Sequence, residues 1–321
     1  MNALARVSAL ADVSHQRARP LLGTLVEIAA TGSDAAQVQR AIELAFDAVE
    51  TVHTLMSYHT ADSDVSRINR EAFNAVVTVN AHTWRVLAAA QAFAEASDGL
   101  FDVTVAPTLT RLGFLPRHAD FPRISGQGDW RQVMLLPDHQ VRLARRLRID
   151  LSGIAKGYAV DLAIQALRDA GMTSARVNAG GDLRLYGDSA QTVHVRHPLA
   201  ATTIVPLVQL REGAAATSAG YYASRRHQGR RVMPIIHPHS RIACDVTRSV
   251  TVLAQDCMCA DALTKVVHAD AEKAGAVLAR FNARAFIVEN DPLTGGARVL
   301  DTAATGQPHW HARWGVAARH V

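Results

Sequence analysis

Segments with helical periodicity alternate irregularly with short apolar segments typical of strands. Of all the features of the sequence, this alternation restricts the possible fold classes most. The clearest helix covers residues 35 to 56, where Val38, Ile42, Phe46 and Val49 share one face. Because helices and strands do not repeat as regular βαβ units, the predicted fold class is α+β, with mixed α/β layers. A polar Thr-Gly-Ser-Asp turn before residue 35 supports the start of this helix.

The remaining elements follow from the same patterns. Further helices are predicted near residues 82 to 97, 260 to 269 and 271 to 281, with another ending at Gly171. Strands are predicted near residues 22 to 30, 147 to 151, 175 to 178, 192 to 196, 249 to 255 and 285 to 289. Residues 113 to 140 are rich in glycine, proline and charge, which predicts a loop.

Composition excludes several classes of protein. The 321 residues are 49% hydrophobic and 20% charged, which suffices for a sizeable core, and no long uncharged apolar run predicts a membrane span. The net charge is +5, but the arginines are scattered among acids, so no nucleic-acid partner is predicted. Three cysteines do not form a disulfide framework, and Met1 to Pro20 lack the apolar segment of a secretory signal. We therefore expect a cytoplasmic location.

The segment from Ile149 to Asp161 is the first candidate for ligand binding. It predicts a strand, a turn of small residues and a helix start, where Gly153 and Gly157 let a ligand approach the backbone and helix amides face an anion. Lys156 would add a positive charge, although the order of a P-loop is absent. An ordinary strand-turn-helix connection with an exposed lysine fits the same spacing.

Two further segments place carboxylates at element ends. Asn178 to Asp182 contains a double glycine after an apolar strand, which indicates a tight turn and is equally typical of a hairpin or bulge. Asp261 and Lys265 share a face of a predicted helix. Asp261 is therefore either a helix-start residue paired with Lys265 or a ligand of a hard metal ion, with Thr264 as a hydroxyl ligand.

A stretch of histidines and cysteines admits a zinc site, but only weakly. His237, His239, Cys244, Cys257 and Cys259 lack the paired spacing of zinc knuckles, which favours reduced thiols. Hydrolysis by a serine nucleophile is not favoured either, because no Gly-x-Ser-x-Gly elbow occurs.

Taken together and in order, these segments resemble the ApbE-like FAD:protein FMN transferase family. The resemblance extends over about residues 19 to 270. The matching segments are Arg19 to Thr24, Met56 to Tyr58, Ser63 to Asn69, Gly99 to Pro107, Asp150 to Asp161, Asn178 to Asp182, Ala216 to Ser218 and Ala260 to Thr264.

The resemblance implies a two-lobed α/β fold with a flavin nucleotide cleft between the lobes. It implies one domain over residues 19–321 after an N-terminal extension of residues 1–18. The implied activity is binding of FAD and, with Mg²⁺, transfer of FMN to a Thr or Ser hydroxyl of a partner protein with release of AMP. The alternatives are an FAD-binding protein without transferase activity and an FAD pyrophosphatase that releases FMN and AMP.

The same resemblance implies residue roles. The flavin nucleotide would be bound by Leu22, Tyr58, Leu100, Phe101, Asp102, Asp150, Lys156 and Ile235. The metal ion would be held by the carbonyl of Gly153 and the side chains of Asp261 and Thr264. The predicted catalytic residues are His237, His239 and Lys265.

The chain departs from the family pattern at two places. The metal-binding threonine of the family lies four residues after the aspartate, but here Thr264 is at the third step and Lys265 at the fourth. A protonated lysine cannot ligate magnesium, so Lys265 would stand in the place of the metal as a charge. In the His-x-x-Asp-Pro-x-x-Gly motif, Pro234, His237 and Arg241 replace the His, the Asp and the Gly. We expect His237 or His239 to take the role of base.

Overall fold

The computed structural model of the protein describes residues 12–124, 126–187, 190–200, 202–291 and 296–302. The helices of these residues are α1 (Ala35–Met56), α2 (Asp64–Glu71), α3 (Ala81–Ala96), α4 (Ala106–Arg111), α5 (Ala155–Asp169), α6 (Gly220–Ala223), α7 (Cys257–Ala269) and α8 (Ala271–Arg280). Short 3₁₀ helices cover Val103–Val105 and Trp130–Gln132.

The strands are short and numerous. They are β1 (Val13–Leu21), β2 (Thr24–Gly32), β3 (Val77–Thr78), β4 (Val133–Leu136), β5 (Gln140–Leu143), β6 (Ser174–Ala179), β7 (Asp182–Tyr186), β8 (Gln191–Arg196), β9 (Ile204–Leu210), β10 (Gly213–Ala219), β11 (Arg225–His227), β12 (Arg230–Val232), β13 (Ile236–His237), β14 (Ile242–Ala243), β15 (Ser249–Ala254), β16 (Arg284–Asn290) and β17 (Ala297–Asp301).

One antiparallel sheet organises the protein. Its strand order is β1-β2-β6-β7-β10-β15-β16-β17. Side chains alternate between its faces, so Ala214 and Ala216 belong to the larger core while Ala215 belongs to a second, smaller core. The larger core lies under α1, α5 and α7. The predicted mixed fold class is therefore confirmed.

The β8–β9 hairpin covers part of the opposite face. Val193 and Val195 of β8 pack with Leu185 and Phe286 of the main sheet in the smaller core. Residues of β8 also line the cavity described below, together with residues of the main sheet.

Local capping determines where the long helices begin. The side chain of Asp34 accepts a hydrogen bond from the Gln37 amide at 2.7 Å and starts α1. Asp256 similarly accepts from the Cys259 amide at 2.8 Å and starts α7 three residues before the predicted position. Asp261 is therefore not the cap of α7, although it does pair with Lys265 as the sequence suggested.

The structure corrects three sequence predictions. Residues 147–151 do not form a strand, because Asn69 satisfies both the amide of Ile149, at 2.7 Å, and its carbonyl, at 2.9 Å, with its own side-chain amide. Residues 22 and 23 form the β1–β2 turn, where Leu22 has φ 55°. The predicted loop at 113–140 contains β4, which pairs with β5. Residues 13–18 pair with β2 across the predicted start of the domain, while the domain division itself stays a prediction.

In the described parts of the chain, no helix is both long enough and apolar enough to cross a lipid bilayer.

Candidate active site

A cavity of about 860 Å³ opens on the sheet face that the helices leave uncovered. Strands β6, β7, β8 and β10 and the turns at residues 22–24 and 180–181 supply most of its wall. Five predicted site residues lie in this wall: Leu22, Gly153, Lys156, Ile235 and Lys265. The volume is in the range of sites that bind a nucleotide-sized ligand.

The charge of the cavity wall is one-sided. Its ionisable side chains include Lys156, Arg176, Arg196 and Lys265, and no carboxylate residue is among the described residues that line it. Such a wall attracts an anion, because nearby cations raise the local concentration of negative ligands. Arg176 and Arg196 were missed by the sequence reasoning, since single arginines on strands carry no motif. Only the distribution of charge over the folded surface could have identified them.

The turn between β6 and β7 is built for close approach. Gly180 and Gly181 both have positive φ, at 63° and 105°, and a Cβ at Gly180 would lie 2.3 Å from Oγ1 of Thr24. The Asn178 side chain accepts from the Gly181 amide at 3.1 Å. The tight turn predicted from the double glycine is confirmed as a hairpin, and it begins β7 with Asp182.

Asp182 is buried and pairs with Lys156 of α5. Burial raises the pKa of Asp182, and the nearby Asp261 raises it further, while Lys156 and Lys265 oppose this. Burial by itself would lower the pKa of Lys156, but the carboxylates of Asp182 and Asp261 outweigh it and raise that pKa. Lys156 therefore remains a cation at the cavity wall.

The N-terminal turn of α5 does not hold a free anion site. The amide of Gly157 donates to Oδ2 of Asp261 at 3.1 Å, so the carboxylate of α7 occupies the position at which a ligand anion was expected. A Cβ at Gly157 would lie 2.3 Å from the carbonyl oxygen of Cys257, which shows how closely α5 and α7 approach. The glycine is therefore needed for the close packing of α5 on α7.

Lys265 completes the charged cluster. Its ammonium donates to Oδ1 of Asp261, to the Asp261 carbonyl at 3.0 Å and to Oγ of Ser218 at 3.4 Å. Ser218, which lines the cavity, also shares a 2.8 Å hydrogen bond with the hydroxyl of Thr264. The predicted metal ligands Asp261 and Thr264 thus lie together, with the lysine ammonium on the aspartate.

Five predicted flavin-binding residues do not line this cavity. Tyr58 is buried, with its ring edge-on to those of His118 and Phe121, at centroid distances of 5.4 and 5.7 Å. Leu100 and Phe101 lie in the main core.

The other two of these residues are carboxylates. Asp102 caps the 3₁₀ turn that follows it and pairs with Arg241 at 3.2 Å. Asp150 accepts from the amide and hydroxyl of Ser152, and burial raises its pKa. The flavin-binding roles of all five residues stay predictions.

The segment from Pro234 to Arg241 connects the cavity to the loop that carries Leu100 to Asp102. Pro234 and Ile235 line the cavity, whereas His237 and His239 do not. The two histidine rings are 5.7 Å apart, and Nε2 of His239 is 3.1 Å from the Asp98 carbonyl oxygen. Arg241 has φ 56°, a left-handed conformation that glycine adopts without strain, at the position where the resembled motif has glycine.

The zinc alternative gains no support from the described residues. No group of three or more His, Cys, Asp or Glu side chains among them is arranged to hold a metal ion. Burial raises the pKa of Cys257 and of Cys244, the latter to about 12, so both are neutral thiols at neutral pH. Neither cysteine forms a disulfide bond in the described residues.

Fold and site together define a mixed helix and sheet protein with a cationic cavity at the end of a glycine turn. The sequence model of the ApbE family matches residues 22–287 of the chain. The chain belongs to the ApbE family, as the sequence motifs indicated.

Curated relatives and solved structures agree with this. The chain is 29% identical over 248 residues to the FAD:protein FMN transferase of Vibrio cholerae, covering 73% of this chain and 74% of the relative. It is 29% identical over 296 residues to the protein of that name from Treponema pallidum, covering 83% and 82%. The crystal structure of the ApbE protein from Thermotoga maritima matches with a TM-score of 0.78 at 28% identity, covering 90% of this chain and 97% of that one. These names support the predicted transferase class.

Proposed function

We propose that the chain binds FAD in the cavity and transfers its FMN moiety to a Thr or Ser hydroxyl of a partner protein, releasing AMP. The observation that carries this proposal is the cavity wall, which has four cationic side chains and no carboxylate among its described residues. The two phosphates of FAD are anionic, so such a wall favours their binding. The names of the curated relatives support the same substrate.

The backbone of the cavity wall, like its positive charge, suits a diphosphate. Gly153, Gly180 and Gly181 line the cavity without side chains, so phosphate oxygens can approach their peptide groups closely. Leu22 and Ile235 supply apolar surface at the same wall, which suits a flavin or adenine ring.

In the proposed reaction, the hydroxyl oxygen of the acceptor attacks the phosphorus of the FMN half of FAD. The bond from this phosphorus to the bridging oxygen breaks, and AMP leaves with the bonding electron pair. The hydroxyl proton passes to a base, so the products are a phosphoester of FMN and AMP. Lys156 and the cavity arginines stabilise the negative charge that grows on the leaving oxygen.

His237 and His239 remain the proposed bases for the hydroxyl proton. They lie two and four residues beyond Ile235, which lines the cavity, and an imidazole accepts a proton near neutral pH.

The magnesium that the family resemblance implies does not fit the described donor set. Both carboxylate oxygens of Asp261 already accept hydrogen bonds, one from Lys265 and one from the Gly157 amide. The Thr264 hydroxyl donates to the Asp261 carbonyl at 2.8 Å. We therefore assign no step of the reaction to a metal ion.

The test incubates the purified protein with FAD, with and without an acceptor domain that carries a target threonine. AMP and a flavin-labelled acceptor band are expected together, and only with the intact acceptor. A Thr→Val acceptor is the control. Release of AMP and FMN without an acceptor would instead show pyrophosphatase activity, and binding of FAD without AMP release would show a flavin-binding protein.

A further inference from the structure

The ammonium of Lys265 lies against Asp261, one of the predicted metal ligands, and the methylene stem of the lysine lies beside Gly153, another. The ammonium donates to two oxygens of Asp261 and to Oγ of Ser218. A Cβ built at Gly153 would lie 3.4 Å from Cε of Lys265, so the lysine stem passes directly over this glycine. Of the three predicted metal ligands, Asp261 therefore binds the ammonium and Gly153 lies beside the lysine stem.

The surrounding contacts show that this position is built for a cation. Asp261 is completely buried, and a buried carboxylate needs a compensating positive group. The side chain of Lys265 is 18% exposed and lines the cavity, while its ammonium is held by Asp261. Breaking a buried pair of this kind leaves an uncompensated charge, which strongly favours keeping the lysine in place.

A divalent ion would have to displace this ammonium. Magnesium requires near-octahedral oxygen ligands at short distances, and a protonated lysine offers no lone pair. Two cations held on one carboxylate would also repel each other in a site of low dielectric constant.

We infer that Lys265 is a fixed internal cation that replaces a divalent metal ion and contacts the diphosphate of the nucleotide directly. The inference rests on the proposed function for the identity of the diphosphate. The hydrogen bond to Ser218, at 3.4 Å, is longer than the one to the Asp261 carbonyl, at 3.0 Å, so a phosphate oxygen can take over that N–H. Lys156 provides a second ammonium at the same wall, so two lysines together bind the diphosphate.

Binding of Mn²⁺, followed by electron paramagnetic resonance, tests the inference without any need for activity. The parent protein is expected to bind no Mn²⁺ at this site, whereas Lys265→Thr, which places a threonine four residues after Asp261, is expected to gain one. Adding Asp261→Asn to Lys265→Thr should remove the gained ion. Lys273→Thr is the matched control, because Lys273 is exposed on α8 and its variant should behave like the parent.

A Mn²⁺ ion bound equally by the parent and Lys265→Thr would overturn the inference, and so would a failure of Lys265→Thr to bind Mn²⁺ while folded. Circular dichroism of each variant establishes that it is folded.

Titration with FAD provides the second measurement. In the parent, the FAD affinity should be the same in EDTA and in Mg²⁺. In Lys265→Thr it should fall by about tenfold or more in EDTA and recover in Mg²⁺. An FAD affinity of the parent that rises tenfold with Mg²⁺ would contradict the inference. If the parent does not bind FAD at all, the proposed function fails, while the Mn²⁺ result still decides the role of Lys265.

Discussion

The two faces of the main sheet differ in what covers them. Helices α1, α5 and α7 pack on one face and enclose the larger core. The β8–β9 hairpin packs on the other face, and the cationic cavity lies there, between the hairpin and the main sheet. Stability is therefore concentrated on the helical face, while the opposite face is free to bind a ligand.

The charged cluster lies where these two regions meet. Lys156 and Lys265 belong to α5 and α7 of the helical face, yet both reach the cavity. Each is held by a buried carboxylate, Asp182 from the sheet and Asp261 from α7 itself. We expect substitutions away from this junction to affect either stability or ligand chemistry, but not both.

The largest effect is expected from His237 and His239, the proposed bases. Replacing both His237 and His239 by alanine should slow FMN transfer by about a hundredfold or more, because the acceptor hydroxyl loses its base. Thermal stability and FAD affinity should stay near the parent values. Flavin labelling of the acceptor measures the rate, and His227→Ala on β11 is the control. Transfer at the parent rate by the double variant would show that neither histidine is the base.

The next largest effect is expected on stability, from a substitution on the helical face. Gly157→Ala should lower the free energy of unfolding by about 1–3 kcal/mol, because its Cβ would lie 2.3 Å from a backbone oxygen of α7. Gly275→Ala on α8 is the matched control, since a Cβ there meets nothing within 4 Å. That control should stabilise the protein slightly, through its helix propensity. Urea unfolding measures both variants, and equal stability of the two would contradict the close packing of α5 on α7.

A pH-dependent effect should come from His268 of α7. Desolvation lowers its pKa to about 4, and its Nε2 is 3.0 Å from the carbonyl oxygen of Ser218. The unfolded chain binds the proton more tightly, so the free energy of unfolding should fall by up to about 3 kcal/mol as the pH falls from 6.5 towards 4. His268→Gln keeps an N–H donor and should reduce this loss. Urea unfolding at a series of pH values measures it, and an unchanged slope would rule out His268 as its source.

The smallest effect is expected from a single charge of the cavity wall. Arg176→Gln should weaken FAD binding by about tenfold, with unchanged thermal stability, because it removes one of four cations. Arg280→Gln, at the exposed end of α8, changes the net charge equally and should leave the FAD affinity unchanged. Flavin fluorescence titration measures both. Equal losses in the two variants would mean that net charge, and not the cavity wall, attracts the ligand.

Much of the fold was predictable because it depends on local periodicity. Helices α1 and α3 lie within one residue of their predicted ranges, and β6, β8, β15 and β16 were all expected. The failed strand at 147–151 shows the limit of such patterns, since the hydrogen bonds of Ile149 go to Asn69, which lies 80 residues away. Nothing near residue 149 in the sequence indicates this partner.

The sequence by itself determined the family, because its motifs occur in the family's order. It also singled out Lys265, because this lysine lies four residues after Asp261, where the family pattern has threonine. Only the tertiary structure decided where the charges lie. It placed Asp261 on the amide of Gly157, which is 104 residues away, and brought Arg176 and Arg196 from two strands into one wall. The reason is that packing of α5 on α7 and pairing of distant strands depend on contacts far apart in the chain, which local patterns do not encode.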